Sequence, residues 1–217
     1  MHVFDTSLHF LYDFPIRNNP RDIIAMDNKL FLSISDYPAK DYAIEAYSLK
    51  GEILSQFYHH NIDDKTLVMP YFEHDKKGNI YAQRRIGYGC DIIYPDKKQT
   101  ALLVVPGVAY KDYVKFEPYR EKFGRSAAYL HWKKDWSEPT GIALIDDSIL
   151  LLCFEEIDDD LATRNYYVDG YQVVNMKKII SWQKIPGKLL AGGKFAYISL
   201  PETNDNDDTR VGRFSIP

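Results

Sequence analysis

Apolar and polar residues group in this sequence into short phrases, not long helical stretches. An apolar run, a polar tip and a second apolar run ending in a charged turn recur at irregular spacing. They stand at residues 29–33 followed by 42–52, at 79–83 followed by 90–97, and at 148–154 followed by 170–177. Runs of this length, bounded by Gly, Asp, Asn and Lys, read as strands. Several such strands in a unit that returns every ~40 to 50 residues are the signature of propellers and other repeat architectures.

Taken in order, residues 1–5 and 8–14 predict the last two strands of a unit, joined at Thr6-Ser7. Residues 22–26, 30–34, 43–48 and 53–58 predict a complete four-stranded antiparallel unit with turns at Asp27-Asn28 and Lys50-Gly51. Gly51 is suited to such a turn because it accepts positive φ without a Cβ clash. The next unit spans 67–105, with a hairpin turn at 75–79, strands at 80–82 and 91–94, a turn at Pro95-Asp96 and an outer strand at 100–105. A third has strands at 141–144, 149–154, 171–175 and 179–184, turning at Asp146-Asp147 and 176–178, and a last set lies at 188–191, 195–200 and 211–216. Between them, residues 107–139 carry Tyr110, Tyr113, Phe116, Tyr119, Phe123, Tyr129, Trp132 and Trp136. That spacing fits a helix over 119–130 or a blade strand with a long inserted loop.

The fold class expected is therefore all-β, a β-propeller built of four-stranded antiparallel blades, as a partial or a small ring. The whole of 1–217 reads as one such domain or a segment of one. Its blades fall at about 21–61, 67–106 and 141–187, with 107–140 irregular or inserted and 188–217 closing with 1–16. Outer strands at the start and a missing outer strand at the end suit a ring whose two ends share a blade, and equally a piece cut from a longer ring.

Composition narrows the function classes. At 217 residues and 45% hydrophobic content the chain can bury a substantial core. A formal net charge of -4 removes the basic footprint of a nucleic-acid binder. The 17 Tyr, 11 Phe and 3 Trp favour sheets and contact surfaces. Cys90 and Cys153 stand far apart with no CxxC partner and read as buried thiols. No apolar run is long enough to span a bilayer, and His2, Asp5 and Asp13 replace the charged and apolar regions of a signal peptide, so none is expected.

The phrases Ala46-Tyr47-Ser48-Leu49-Lys50-Gly51-Glu52, Asp75-Lys76-Lys77-Gly78-Asn79-Ile80-Tyr81-Ala82 and Asp91-Ile92-Ile93-Tyr94-Pro95-Asp96 resemble blades of the six-bladed, TolB-like or NHL-like propeller proteins of Bacteroides-type bacteria. The resemblance covers most of the chain outside 107–139, and its motifs are turn and strand grammar with no catalytic signature. It implies about four blades here and a location in the cell envelope or periplasm. It implies no site residue.

Function on such a scaffold resides in the tips between second and third strands, here 35–41, 84–89, 155–169 and 201–210. The acidic runs 155–160 and 204–208 read as solvated loop tips, with calcium binding as the alternative, though neither has the EF-hand spacing. His2, His9, His59, His60, His74 and His131 read as surface polar residues, and the neighbours His59 and His60 point to opposite faces of a strand end. There is no GxSxG, GxxxxGK[ST] or HExxH, and Gly87-Tyr88-Gly89 lacks the third glycine and the helix of a nucleotide loop. No catalytic residue is assigned, and no cofactor or metal is expected.

The best ligand pattern is Arg84-Arg85 followed by Tyr88, since an Arg fork grips carboxylate or sulfate and Tyr stacks on sugar or peptide. The alternative is that these arginines pair with nearby Asp. Trp132 and Trp136 are candidates of the same kind, against aromatic packing between blades. The expected function is a non-enzymatic propeller that binds a protein or carbohydrate partner through one face, without nucleic acid and without membrane insertion. The alternative is a glycoside hydrolase or lyase with carboxylates around a central funnel.

Overall fold

The computed structural model describes residues 1–5, 7–16, 20, 22–34, 42–58, 71–84, 86–105, 110–160 and 163–185, and the strand backbones of 188–192, 195–200 and 210–214. The chain divides into two compact units, Met1–Pro70 and Tyr71–Pro217. Apart from one helix the described residues are all-β, and three of their five sheets are the four-stranded antiparallel meanders of β-propeller blades, the other two having two and three strands.

In the first unit β1 (His2–Phe4) pairs with β2 (Phe10–Asp13), and β3 (Ile23–Met26), β4 (Lys29–Ser33), β5 (Ile44–Ser48) and β6 (Ile53–Phe57) form a meander in chain order. The β3–β4 turn is the predicted Asp27-Asn28, both at positive φ (50° and 57°). That is the primed turn whose twist matches the strands it joins. At the β5–β6 turn Ser48 Oγ accepts the amides of Lys50 and Glu52, each at 3.2 Å. Gly51 sits there at φ 85°, and a Cβ on it would lie 2.6 Å from the Phe14 ring, so both conformation and packing demand glycine. Phe14, Leu32 and Tyr47 form the core beside it.

The second unit opens with the meander β7 (Phe72–His74), β8 (Ile80–Gln83), β9 (Gly89–Ile93) and β10 (Gln99–Leu103), followed by α1 (Glu117–Lys134). A second meander follows, β11 (Glu138–Ile145), β12 (Ile149–Ile157), β13 (Arg164–Gln172) and β14 (Lys178–Ile185). Then comes a three-stranded sheet, β15 (Lys188–Gly192), β16 (Phe195–Leu200) and β17 (Arg210–Phe214). The charged turns legible in the sequence are Asx turns, in which a side-chain oxygen takes the amides the hairpin leaves open. Asp75 Oδ1 accepts from the Lys77 and Asn79 amides, both at 2.9 Å, and its Oδ2 from Asn79 Nδ2 at 2.7 Å and the Tyr81 hydroxyl at 3.2 Å. Asp96 and Asn175 do the same for Lys98 and Lys177. Asp146-Asp147 repeats the primed geometry of Asp27-Asn28, at φ 46° and 56°.

The run Leu150 to Phe154 is buried on both faces of its sheet. Leu150, Leu152 and Phe154 pack with Tyr81, Tyr88, Cys90, Tyr167 and Tyr171 on one side, while Leu151 and Cys153 pack with Ala143, Val168 and Ile180 on the other. An unbroken apolar run is what such a strand requires. Where the β11–β12 register shifts between Pro139 and Gly141, the Gln83 side chain repairs the ladder. Its Nε2 donates to the Cys153 carbonyl at 2.8 Å, and its Oε1 accepts from the Gly141 amide at 3.2 Å. A buried side-chain amide thereby satisfies backbone groups that a bulge would orphan.

Two expectations are corrected. The third strand of this meander is Arg164–Gln172, not 171–175, and β12 runs on to Ile157, so most of the supposed tip 155–169 is strand. The pairs Phe154↔Tyr167, Glu155↔Tyr166 and Glu156↔Asn165 continue the ladder through the acidic residues. Glu155 and Glu156 are consequently buried and not solvated. Charge does not end the strand because cations meet it, as described below. In the interruption the helical alternative holds, and α1 is longer than 119–130 at both ends. Pro118 lies in its first turn, where a missing N–H is harmless, and Lys133 and Lys134 in its last, facing the negative helix end. Gly124, at φ 73° and ψ 168°, breaks it into two arms.

Candidate functional site

The residues singled out in the sequence go mostly to internal duties. Arg84 pairs through Nη1 with Asp91 and donates from Nε to the Ile86 carbonyl at 3.1 Å, bracing its own tip. Arg85 lies outside the described residues, as do His59, His60, the tip 35–41 and the acidic run 204–208. Tyr88 is buried. Its hydroxyl donates to Asp169 Oδ2 at 2.9 Å, while Asp169 Oδ1 takes the Ser181 hydroxyl at 2.7 Å. Its ring lies 4.5 Å from Tyr110 and edge-on to Phe154 at 5.7 Å. Burial first, and the Asp169 charge second, push the Tyr88 phenol well above its ordinary value. The neighbouring Tyr110 hydroxyl is buried and has no hydrogen-bond partner among the described residues.

Trp132 and Trp136 are buried too. Trp132 Nε1 donates to the Val114 carbonyl at 2.7 Å, and the two indoles lie 5.0 Å apart among Tyr113, Phe116 and Tyr129. This aromatic knot seats the second arm of α1, with Trp132 and Trp136 buried in it and Tyr129 exposed at its edge. The described histidines outside α1 pair with acidic neighbours: His2 with Asp13, His9 with Asp5 and His74 with Glu73.

Two constellations emerge that sequence reading did not name. The first lies against β11 and β12. Lys133, 4% exposed, pairs with Glu138 and stands 3.6 Å from Glu155 Oε1. Arg164 Nη1 donates to the same oxygen at 3.2 Å. Glu155 Oε2 is buried and has no hydrogen-bond partner among the described residues. Ser137 Oγ donates to Glu156 Oε1 at 2.7 Å, and Lys111 Nζ stands 3.9 Å from its Oε2. Tyr129 and Trp136 hold their rings 5.5 Å and 5.7 Å from Lys133 Nζ. Three buried carboxylates are thus matched by three cations. Such a network keeps its members only if each is compensated, since removing one strands another in low dielectric. Among the described residues no three His, Cys, Asp or Glu side chains converge to hold a metal ion.

The second is an open cleft of about 370 Å³ between the two arms of α1, lined by Tyr119, Lys122, Phe123, His131, Lys134 and Asp135, with Pro118 at its edge. The kink at Gly124 folds the first arm back so that Phe123 stacks on His131 at 3.9 Å and 11°. Tyr119 stacks on Phe123 at 6.5 Å, and its hydroxyl donates to Asp135 Oδ2 at 2.6 Å. Burial, then that bond and the Asp135 charge, push the Tyr119 phenol up to about 12. Lys122 Nζ lies 4.9 Å from the centre of the Phe123 ring, and Lys134 pairs with Asp159 at 2.5 Å. The sequence does carry a trace of this cleft, in the matching spacings 119, 122, 123 and 131, 134, 135, one set on each arm.

No protein family's profile matches the chain, and no curated protein matches it. Among solved structures it is similar to virginiamycin B lyase from Staphylococcus aureus in selenomethionine form, at 12% identity over 99% of this chain and 76% of that one, with a TM-score of 0.45. It is also similar to a streptogramin B lyase, at 10% identity over 100% and 76%, with a TM-score of 0.46. A catalytically inactive form of the Staphylococcus aureus lyase with quinupristin stands at 12% identity, 99%, 76% and 0.46.

Proposed function

We propose that this chain is a non-enzymatic β-propeller protein that binds a protein or carbohydrate partner through the face formed by α1 of its second unit. The observation that carries the reading is the division of labour around α1. Its buried Trp132 and Lys133, with Trp136 just beyond its end, are engaged in seating it, while the cleft between its arms leaves aromatic and cationic groups open to solvent. A rigid blade with an inserted recognition element is a common way to place function on a repeat scaffold. The same reading includes membership of the six-bladed TolB-like or NHL-like proteins and a place in the cell envelope, which the turn phrases at 46–52, 75–82 and 91–96 support.

The test is binding of the intact chain to arrayed peptides and glycans, beside a Lys122→Ala/Phe123→Ala double variant. Signals present for the parent and lost in the variant support the reading. Signals that survive in the variant, or none for the parent, overturn it.

A second reading, a propeller-based hydrolase or lyase, has one observation in its favour. Among the described residues Glu155 keeps a buried oxygen without a hydrogen-bond partner, beside Glu138 and Lys133, and a carboxylate with an open acceptor is a group that general acid–base chemistry uses. Turnover of a glycan or cyclic-peptide substrate that Glu155→Gln abolishes would favour it over the binding reading.

A further inference from the structure

Resting on that reading, we propose that the α1 cleft is a binding site for an aromatic carboxylate, a single planar ring system bearing one negative charge. Size is the first argument. At about 370 Å³ the cleft is near the lower end of small-molecule sites, room for a ring or two and not for an extended oligosaccharide. Shape is the second. Its walls are the flat faces and edges of Tyr119, Phe123 and His131, held in register by the stacked Phe123–His131 pair at 3.9 Å and the Tyr119–Phe123 pair at 6.5 Å. A planar guest continues such a stack, whereas a puckered ring meets it at few points.

Charge is the third argument. Lys122 and Lys134 both reach the cleft. Lys134 is tied to Asp159, a residue 90% exposed, and an exposed pair of that kind is held weakly enough for a ligand carboxylate to compete. The single acid on the wall, Asp135, already accepts the Tyr119 hydroxyl at 2.6 Å. The cleft therefore favours an anion although the whole chain has a net charge of -4. Two sources offer the same chemistry, a free aryl carboxylate and the C-terminal aromatic residue of a polypeptide.

The experiment titrates the intact chain with 1-naphthoate, followed by the probe's fluorescence, and in parallel with a short peptide ending in a free Phe carboxylate. The controls are 1-naphthylmethanol, cyclohexanecarboxylate and the same peptide as its C-terminal amide. Naphthoate should bind at least about tenfold more tightly than either small control, and Phe123→Ala should weaken it by about tenfold. Lys122→Met, which keeps the aliphatic stem and spares the fold, should weaken it about threefold. Asp135→Asn, which still accepts from Tyr119, should tighten it. If the free-acid peptide binds more tightly than naphthoate, the source is a polypeptide C-terminus; the reverse order makes it a small molecule. Equal binding of the neutral alcohol, no binding of any carboxylate, or weakening by Asp135→Asn would overturn the assignment. Array signals that depend on Lys122 and Phe123 while every carboxylate fails would remove the ligand class and leave the binding reading standing. Loss of both would remove both.

Discussion

At the scale of single residues, the outcome for most side chains is set by whether their partners lie nearby in sequence. Asp75 lay within reach of reading because everything it bonds, Lys77, Asn79 and Tyr81, follows within one hairpin. Glu155 did not, because its cations come from α1 and β13 and no local pattern links Lys133, Glu138 and Arg164. Lys133→Ala should therefore cost about 3 to 5 kcal/mol, because it removes the buried cation that pairs with Glu138 and one of the two that meet Glu155. The double variant Lys133→Met/Glu138→Leu should recover part of that loss in denaturant unfolding. Titration gives a second residue-scale expectation. Burial raises the phenols of Tyr81, Tyr88, Tyr110 and Tyr171, and lifts the Cys90 thiol from its ordinary 9.0 to about 12. These groups hold their protons more tightly when folded, so their contribution is complete below the ordinary values and lost as pH rises through the shifted ones. From neutral pH the unfolding free energy should stay level to about pH 9 and fall steadily above it, and Tyr88→Phe should make the fall shallower.

Elements were legible to the degree that turns and alternation defined them. The β3–β6 meander falls within a residue or two of its expected strands because Asp27-Asn28 and Lys50-Gly51 are strong local signals. The β12–β13 hairpin is hidden in the sequence by its acidic residues, whose composition is that of a loop, although Tyr166, Tyr167 and Val168 beyond them are strong strand formers paired back onto Glu155, Phe154 and Cys153. The fold-back of α1 was invisible for another reason: a single glycine in the αL-to-extended region, Gly124, reverses a segment that reads as one helix. Two glycine substitutions separate backbone strain from packing. Gly124→Ala meets nothing within 4 Å and should cost only the strain of its positive φ, about 1 to 3 kcal/mol, with α1 helicity redistributed in circular dichroism. Gly89→Ala would set a Cβ 2.0 Å from the Leu102 carbonyl oxygen, so β10 must leave its register, and a much larger loss of stability is expected.

For the molecule as a whole, repetition disclosed the architecture while chemistry stayed hidden. Strand grammar is repeated in every blade and accumulates along the chain. A cleft of the kind proposed for recognition occurs once among the described residues, between two arms of α1 that face each other only after folding. Among the described residues Tyr88, Trp132 and Trp136 are drawn into the interior and Arg84 is paired with Asp91, while the α1 insertion carries aromatic and cationic groups on an open cleft. Raising salt should weaken partner binding, since the attraction is between a locally positive cleft and an anion on an otherwise acidic protein. The measurement to make first is a chemical-shift map of the isotopically labelled intact chain, titrated with the tightest array ligand. Shifts concentrated on Tyr119, Lys122, Phe123 and His131 are expected. Shifts concentrated on the 84–89 tip or around Glu138 and Glu155, with α1 unmoved, would place recognition elsewhere and refute the binding face proposed for this protein.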